Sequence, residues 1–178
     1  MKNTILFVVI AALFLSCSSF VYYPNGANAP LLTQKDDVQI AVGIKGFGGD
    51  IRSAYAVSDK FGIQLNANLL NVTATEFGVE YRNGNYYGEA AFGSFKEIAP
   101  RLVFETYAGV GAGITSAVSQ NLATNTQTTV GYQKIYLQQD IGLNFKNLKF
   151  GLAVREAYVN ASKTKIDGVD QNIQQMYV

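Results

Sequence analysis

The sequence predicts an all-β protein, an antiparallel up-and-down β-barrel of about eight strands. Apolar residues alternate with small or polar residues in several segments of about ten residues, and a period of two is typical of strands with one apolar face. Connections rich in glycine, asparagine and proline separate these segments. Charged residues make up only 15% of the chain, below the roughly 25% of a typical soluble domain. These observations favour a small barrel over a helical or mixed fold.

The composition also limits the chemistry of the chain. It has no histidine and a single cysteine, Cys17, which removes Ser/His/Asp and Cys/His catalytic arrangements and most transition-metal sites. The formal net charge is +1, so nucleic acid is not an expected partner. We therefore predict one domain that is not an enzyme, with no catalytic residues, no cofactor and no metal.

The amino terminus, residues 1–16, is predicted to be a signal peptide. Lys2 supplies a positive charge, and residues 5–15 form an apolar core too short to cross a membrane as a helix. The sequence then resembles the lipobox of bacterial lipoproteins, whose cysteine is lipidated and becomes the first residue; here that residue is Cys17. The resemblance is partial, because Phe14 and Leu15 stand where the motif usually has leucine and a small residue.

The alternative to lipidation is simple secretion after Ala27-Asn28-Ala29. That site lies far from the apolar core and precedes proline, which signal peptidases tolerate poorly. Residues 17–37 are predicted to be a lipid-anchored tether, because they lack periodicity and contain Pro24, Asn25-Gly26 and Pro30. The barrel domain is predicted over residues 38–178. Its last strand is expected to be truncated, since residues 173–178 begin a strand too short to cross a membrane.

The strands follow from the period of two. Alternation predicts seven of them, at residues 38–45, 51–57, 61–69, 86–95, 104–114, 135–145 and 148–155. Residues 71–85 are ambiguous. Small membrane barrels have short turns at one end and long loops at the other. Treating residues 75–82 as a β-extension within an outer loop keeps that alternation, with further outer loops at 116–131 and 160–172.

The hairpin over residues 132–158 is the clearest element, because its two alternating runs meet at the tight turn Lys146-Asn147. A two-residue turn places Phe145 opposite Leu148 and Gln138 opposite Arg155. Asp140 and Arg155 become diagonal neighbours on the polar face. We therefore predict a lumenal polar cluster of Gln138, Asp140 and Arg155, with an ion pair between the two charged residues. The alternative is two unrelated charges in hydrated loops.

The polar face of the strands consists mostly of Gly, Ala, Gln, Asn and Tyr. Such small and neutral residues suit a closely packed lumen and leave the Val/Ile/Leu/Phe face for lipid. The glycines in residues 109–113 recur every second position and no helix pattern follows, so they do not predict a phosphate-binding loop. We expect them to make room for larger inward neighbours such as Tyr107 and Tyr136.

Several segments together resemble one family. They are the lipobox, Tyr23-Pro24-Asn25, Asn28-Ala29-Pro30, residues 54–59 (AYAVSD) and residues 104–109 (FETYAG). In these the chain is similar to small outer-membrane β-barrel proteins of Bacteroidota. The resemblance implies a fold and a location and carries over no catalytic residue.

We accordingly expect a bacterial outer-membrane β-barrel, lipid-anchored through Cys17, that acts as a structural or surface-exposed membrane component. Its expected partner is outer-membrane lipid, and the sequence names no protein partner. The alternative is a lipid-tethered soluble barrel that binds an apolar small molecule inside, as lipocalin-like folds do. Dependence on detergent would separate the two.

Overall fold

The computed structural model describes residues 26–45, 48–76, 79–120, 125–145, 148–171 and 176–177. These residues form one antiparallel sheet in which each strand pairs with the next along the chain. The predicted all-β, up-and-down fold class is therefore confirmed. The predicted signal peptide and Cys17 lie outside the described residues, as do residues 173–175 and 178 of the predicted last strand.

Seven long strands are followed by two short ones. In chain order they are β1 Val38–Lys45, β2 Gly48–Ala56, β3 Phe61–Glu76, β4 Val79–Ala99, β5 Leu102–Gln120, β6 Asn125–Phe145, β7 Leu148–Ile166, β8 Val169–Gln171 and β9 Met176–Tyr177. β8 pairs with the last residues of β7, from Thr164 to Ile166, and β9 pairs with Tyr158 and Val159 near its middle. None of the described residues forms a helix long and apolar enough to cross a membrane.

The two ends of the sheet differ as the sequence predicted. Connections 57–60 and 100–101 lie at one end, here called the short-turn end, where β6 also ends at Phe145 and β7 begins at Leu148. At the opposite, long-hairpin end, β3 to β7 continue well past the first two strands. The described part of the predicted β-extension, residues 75–76 and 79–82, belongs to these longer strands, since Thr75 pairs with Glu80 and Glu76 with Val79.

The prediction of loops at 116–131 and 160–172 was wrong for most of these residues. The ladder between β5 and β6 continues to the pair Gln120 and Asn125, and β7 runs to Ile166. The physical reason is the β-branched content of these segments, because threonine and valine favour extended pairing even where no membrane requires it. The outer parts of the chain are therefore tall hairpins.

The predicted register of the β6–β7 hairpin is confirmed. Phe145 pairs with Leu148, and Gln138 pairs with Arg155. Because side chains alternate between faces, this register sends one set of residues outward and the other inward.

The outward face is apolar on every long strand. Its exposed fractions reach 87% for Ile44 and 67% for Leu152. The inward face is buried and largely polar, with Gln64, Glu105, Gln138 and Asp140 almost inaccessible to solvent. The apolar face of the sheet therefore points outward and its polar face points inward, the reverse of the arrangement in a soluble barrel.

The prediction of a tether over residues 17–37 was wrong for residues 26–32, whose backbone groups and leucine side chains are bound by the barrel. Residues 26–32, here called the plug, lie inside the barrel, where Asn28, Leu31 and Leu32 are buried. Residues 17–25 of the predicted tether lie outside the described part of the chain. After the plug, residues 33–37 turn at the short-turn end and lead into β1, and the Asp36 amide donates to the Ala56 carbonyl there.

Candidate functional site

The predicted lumenal cluster exists, with a different pattern of contacts. The Gln138 amide donates to both carboxylate oxygens of Asp140, at 3.0 and 2.7 Å. Arg155 Nε donates to the Gln138 carbonyl oxygen at 2.8 Å. All three side chains therefore lie together in the lumen, and Gln138 connects the two charged residues.

The predicted ion pair between Asp140 and Arg155 is wrong. The Arg155 guanidinium binds Glu89 on β4 instead, with Nη1 at 3.0 and 3.1 Å from the two carboxylate oxygens. Asp140 lies nearer the short-turn end, and the Gln138 side chain occupies the space between them. Arg155 therefore reaches across the lumen to a strand that is not its neighbour in the sheet.

Glu89 is the centre of a buried charged cluster. Its side chain is fully buried, and Lys134 Nζ lies 2.6 Å from Oε2. The Asn66 amide donates to Oε1 at 2.8 Å. One carboxylate thus faces two cations, Lys134 and Arg155, and ties strands β3, β4, β6 and β7 together.

Aromatic rings offset the excess positive charge of this cluster. Arg155 Cζ lies 4.2 Å from the centroid of the Tyr136 ring. Lys134 Nζ lies 4.9 Å from the Tyr87 ring and 5.3 Å from the Tyr136 ring. A cation over an aromatic face gains about 0.5–2 kcal/mol, the larger values when both are desolvated. The rings therefore help to retain two buried cations beside a single anion.

Glu105 holds the plug by its backbone. Its two carboxylate oxygens accept hydrogen bonds from the amides of Leu31, at 3.0 Å, and Leu32, at 2.7 Å. Leu31 has a φ of 51°, a left-handed conformation that non-glycine residues rarely adopt. Two consecutive amides aimed at one buried carboxylate offset the cost of that conformation.

The carbonyl groups of the plug are bound as well. The amides of Gln64 and Gln138 both donate to the Asn28 carbonyl, at 3.2 and 2.7 Å. Lys149 Nζ donates to the Pro30 carbonyl at 3.0 Å. Asn144 and Lys149 donate to the Leu31 carbonyl, at 3.0 and 3.3 Å. The barrel therefore satisfies the backbone of a segment that belongs to neither a strand nor a helix.

The plug also packs through its leucines. Leu32 lies in a buried cluster with Ala54, Ala56 and Phe95. Leu31 lies over Gly142, where an added Cβ would come within 2.6 Å of its Cδ1. Small inward residues near the short-turn end thus leave the volume that the plug fills.

A turn anchored by Asp37 fixes the exit of the plug. One Asp37 oxygen accepts hydrogen bonds from the amide and hydroxyl of Thr33, at 2.8 and 2.7 Å, and from the Gln34 amide at 3.2 Å. Partial burial is the strongest single influence and acts to raise its pKa. The hydrogen bonds from Thr33 and Gln34 and the positive charge of Lys149 act in the opposite direction, and the pKa of Asp37 is held below its ordinary value.

The inward glycines make room for tyrosines, as the sequence predicted. A Cβ added at Gly109 would lie 2.4 Å from the Tyr136 ring, and one at Gly93 would lie 2.4 Å from the Tyr107 ring. In both cases glycine and tyrosine are paired across neighbouring strands. The glycine at 109 is thus explained by ring packing.

The sequence analysis missed Glu89, Lys134 and Glu105, three buried charged residues of the lumen. The available signal was an isolated charge at an inward position of a predicted strand, for Glu89 and Glu105, and next to the start of one, for Lys134. In a narrow barrel such a residue must find a partner inside. Identifying that partner required the contacts across the lumen.

The buried carboxylates bind groups of the protein itself. Glu89 binds cations, Glu105 binds backbone amides and Asp140 binds an amide side chain. Within the described ranges, no three His, Cys, Asp or Glu side chains lie close enough to hold a metal ion. The ion pairs and hydrogen bonds of this site therefore join the plug to the strands and the strands to each other.

Comparison with known proteins gives no family: no protein-family model matches the chain, and no curated protein or solved structure is similar to it.

Proposed function

We propose that this chain is a bacterial outer-membrane β-barrel that acts as a structural or surface-exposed component of the membrane. The observation that carries the proposal is the continuous apolar outer face. Its large exposed side chains come from all seven long strands, for example Ile40, Ile51, Leu65, Phe92, Val110, Leu137 and Leu152. Soluble monomers rarely expose a contiguous apolar patch larger than a few hundred Å².

The height of this face matches a bilayer. On β7 the outward residues from Leu148 to Val154 are apolar. Glu156 follows as the one charged outward residue, and Tyr158 marks the end of the band. Ten residue steps of about 3.3 Å along a strand tilted by about 40° span about 25 Å, the height of the apolar band in outer-membrane barrels. The outer hairpins of β3 to β7 extend beyond this band.

The side chains that fill the lumen favour a structural membrane barrel over a barrel that carries a ligand inside. A lipocalin-like barrel needs an apolar cavity inside and a polar surface outside. In the described part of this chain the inside holds the plug, buried tyrosines and the Glu89 cluster, while the outside is apolar. The same filling argues against a water-filled pore.

The first experiment places a charge on the outer face. Ile141 pairs with Leu152 near the middle of the apolar band. Ile141→Arg should prevent stable insertion into liposomes or lower the free energy of unfolding there by about 2–4 kcal/mol, the cost of arginine on the lipid face near the midplane. The matched control is Gln127→Arg on the same strand, beyond the band, which should change stability little. Insertion is measured by protection from protease and stability by circular dichroism in urea.

The proposal fails if the wild-type chain stays monodisperse without detergent and Ile141→Arg folds as well as Gln127→Arg. That outcome, together with saturable binding of a fatty acid, would favour the soluble lipocalin-like alternative.

We also propose that the chain is lipid-anchored through Cys17. Cys17→Ala should accumulate the unprocessed precursor and lose all incorporation of labelled palmitate, because the thiol is the lipid acceptor. Ser18→Ala is the control and should be processed normally. Unchanged labelling of Cys17→Ala would show that the amino terminus is not a lipoprotein signal.

A further inference from the structure

One charged side chain of β7 points outward within the apolar band. Glu156 is exposed, and its outward neighbours along the strand, Val154 and Tyr158, belong to the band. Among the residues that the structure describes, none forms an ion pair or a hydrogen bond with the Glu156 carboxylate. Ionisable side chains at membrane depth are costly and commonly mark functional sites. Glu156 therefore requires a partner from outside this part of the chain.

Glu156 lies at one end of an apolar groove on the outer face. The groove has a volume of about 840 Å³ and crosses five strands, from β7 to β3. One of its walls is a single rung of the sheet, in which Glu156, Leu137, Ala108, Phe92 and Ile63 pair in that order. Ala108 has the smallest side chain of this wall and therefore leaves space above the backbone. Among the described residues that line the groove, Glu156 is the only charged one.

A small polar cleft adjoins the groove at this end. It has a volume of about 70 Å³ and is lined by Leu137, Gln139, Val154 and Glu156. Gln139 pairs with Val154, one rung nearer the short-turn end than the pair of Leu137 and Glu156. Gln139 and Glu156 are therefore diagonal neighbours on the outward face. The cleft thus places a carboxylate and an amide side chain beside an otherwise apolar groove.

We propose that the groove and the cleft together bind one membrane lipid whose head group carries a protonated amine. The amine donates to the Glu156 carboxylate and to the Gln139 carbonyl oxygen, and an acyl chain lies in the groove past Leu137 and Ala108. Hydrogen bonds between an ammonium group and a carboxylate are among the strongest in proteins, whereas a head group with a net negative charge would be repelled. The inference rests on the proposed membrane location, because only a membrane places lipid against this face.

The direction of the groove agrees with the orientation of a lipid. Glu156 lies two residues before Tyr158, where the apolar band ends on the side of the long hairpins. Ile63, at the other end of the groove, lies two residues after Phe61, the first residue of β3 at the short-turn end. The groove therefore descends through the band from one border, so the head group lies near that border and the acyl chain lies in the hydrocarbon.

The test measures lipid retained by the full chain in detergent micelles, by native mass spectrometry. Phosphatidylethanolamine and phosphatidylglycerol with identical acyl chains are offered in equal amounts, with a chelator present. The wild-type chain should retain one phosphatidylethanolamine molecule at least about tenfold in preference to phosphatidylglycerol, the effect of one hydrogen bond to a charged group. Glu156→Gln should abolish this preference, because it removes the charge and keeps the size of the side chain.

A matched pair of variants tests the groove itself. Ala108→Leu fills the groove and should lower retention of phosphatidylethanolamine about tenfold, because the acyl chain loses its place. Ala112→Leu changes an outward alanine of the same strand that lines a neighbouring groove, so it should retain lipid as the wild type does. Circular dichroism establishes that each variant is folded before lipid is added.

Four results would overturn the inference. They are equal retention of the two lipids by the wild-type chain, an unchanged preference in Glu156→Gln, equal losses in Ala108→Leu and Ala112→Leu, and a dimer that Glu156→Gln dissociates, since a second copy would then cover the groove. Phosphatidylglycerol retained as well as phosphatidylethanolamine once magnesium replaces the chelator would also overturn it, because Glu156 would then bind a metal ion that bridges to phosphate. Failure of the membrane proposal is detected separately, as a wild-type chain that stays monodisperse without detergent.

Discussion

Replacing Glu89 with leucine should lower the free energy of unfolding by about 3–5 kcal/mol, because removing one partner of a buried ion pair leaves an uncompensated charge. In this cluster, the substitution would leave two buried cations without their carboxylate partner. Lys134 and Arg155 both bind the Glu89 carboxylate, and the Lys134 and Glu89 side chains are almost completely buried. Urea unfolding in detergent, followed by circular dichroism, measures the change.

An exposed ion pair provides the control. Glu80 binds Arg82 at the long-hairpin end, where both side chains are accessible to solvent. Glu80→Leu should cost less than about 1 kcal/mol, since exposed pairs contribute little. Adding Lys134→Met to Glu89→Leu should recover part of the loss, because one stranded cation is then gone. If Glu89→Leu unfolds at the same urea concentration as the parent, the lumenal cluster does not stabilise the fold.

The parts of the fold that sequence could predict are those governed by local rules. The register of β6 and β7 follows from a tight turn and a period of two, so it places Gln138 opposite Arg155 without further information. The division into outward and inward faces follows from the same period. The pairing of tyrosine with glycine could likewise be predicted, because it involves only adjacent strands.

The prediction of an ion pair between Asp140 and Arg155 failed because the partner of Arg155 is determined by the geometry across the lumen. Arg155 on β7 and Glu89 on β4 are three strands apart, and their meeting is set by how the sheet curves, which no local pattern encodes. Asp140 looked like the partner because it is the diagonal neighbour. Gln138 instead satisfies Asp140 and leaves Arg155 to reach Glu89.

The sequence did not predict the plug, for a different reason. Its residues have no periodicity because their backbone groups bind side chains of the barrel and form no ladder. Without periodicity, a segment containing Pro30 cannot be distinguished from a flexible linker by pattern alone. The one indication was Glu105, a lone carboxylate at an inward position, which implied some donor inside the barrel.

Replacing Glu105 with leucine should release the plug. The amides of Leu31 and Leu32 would lose their acceptor while remaining buried, and an unsatisfied buried donor costs about 1–3 kcal/mol. Together with the strained φ of Leu31, this should make the plug leave the lumen before the barrel unfolds. Hydrogen exchange at the Leu31 and Leu32 amides is the direct measurement, because exchange reports local opening.

The glutamine variant and an exposed glutamate make the result specific. Glu105→Gln keeps one acceptor oxygen, so exchange at the Leu31 and Leu32 amides should be intermediate between parent and Glu105→Leu. Glu97, at the same end of the barrel, accepts a hydrogen bond from the exposed Arg101 amide, and Glu97→Leu should leave the plug protected. Exchange elsewhere in β4, β6 and β7 should stay slow in every variant, since the Glu89 cluster lies deeper in the lumen and does not contact the Leu31 or Leu32 amides. Slow exchange at Leu31 and Leu32 in Glu105→Leu would show that packing of the leucines alone holds the plug. Loss of protection throughout the barrel would show instead that plug and barrel open as one unit.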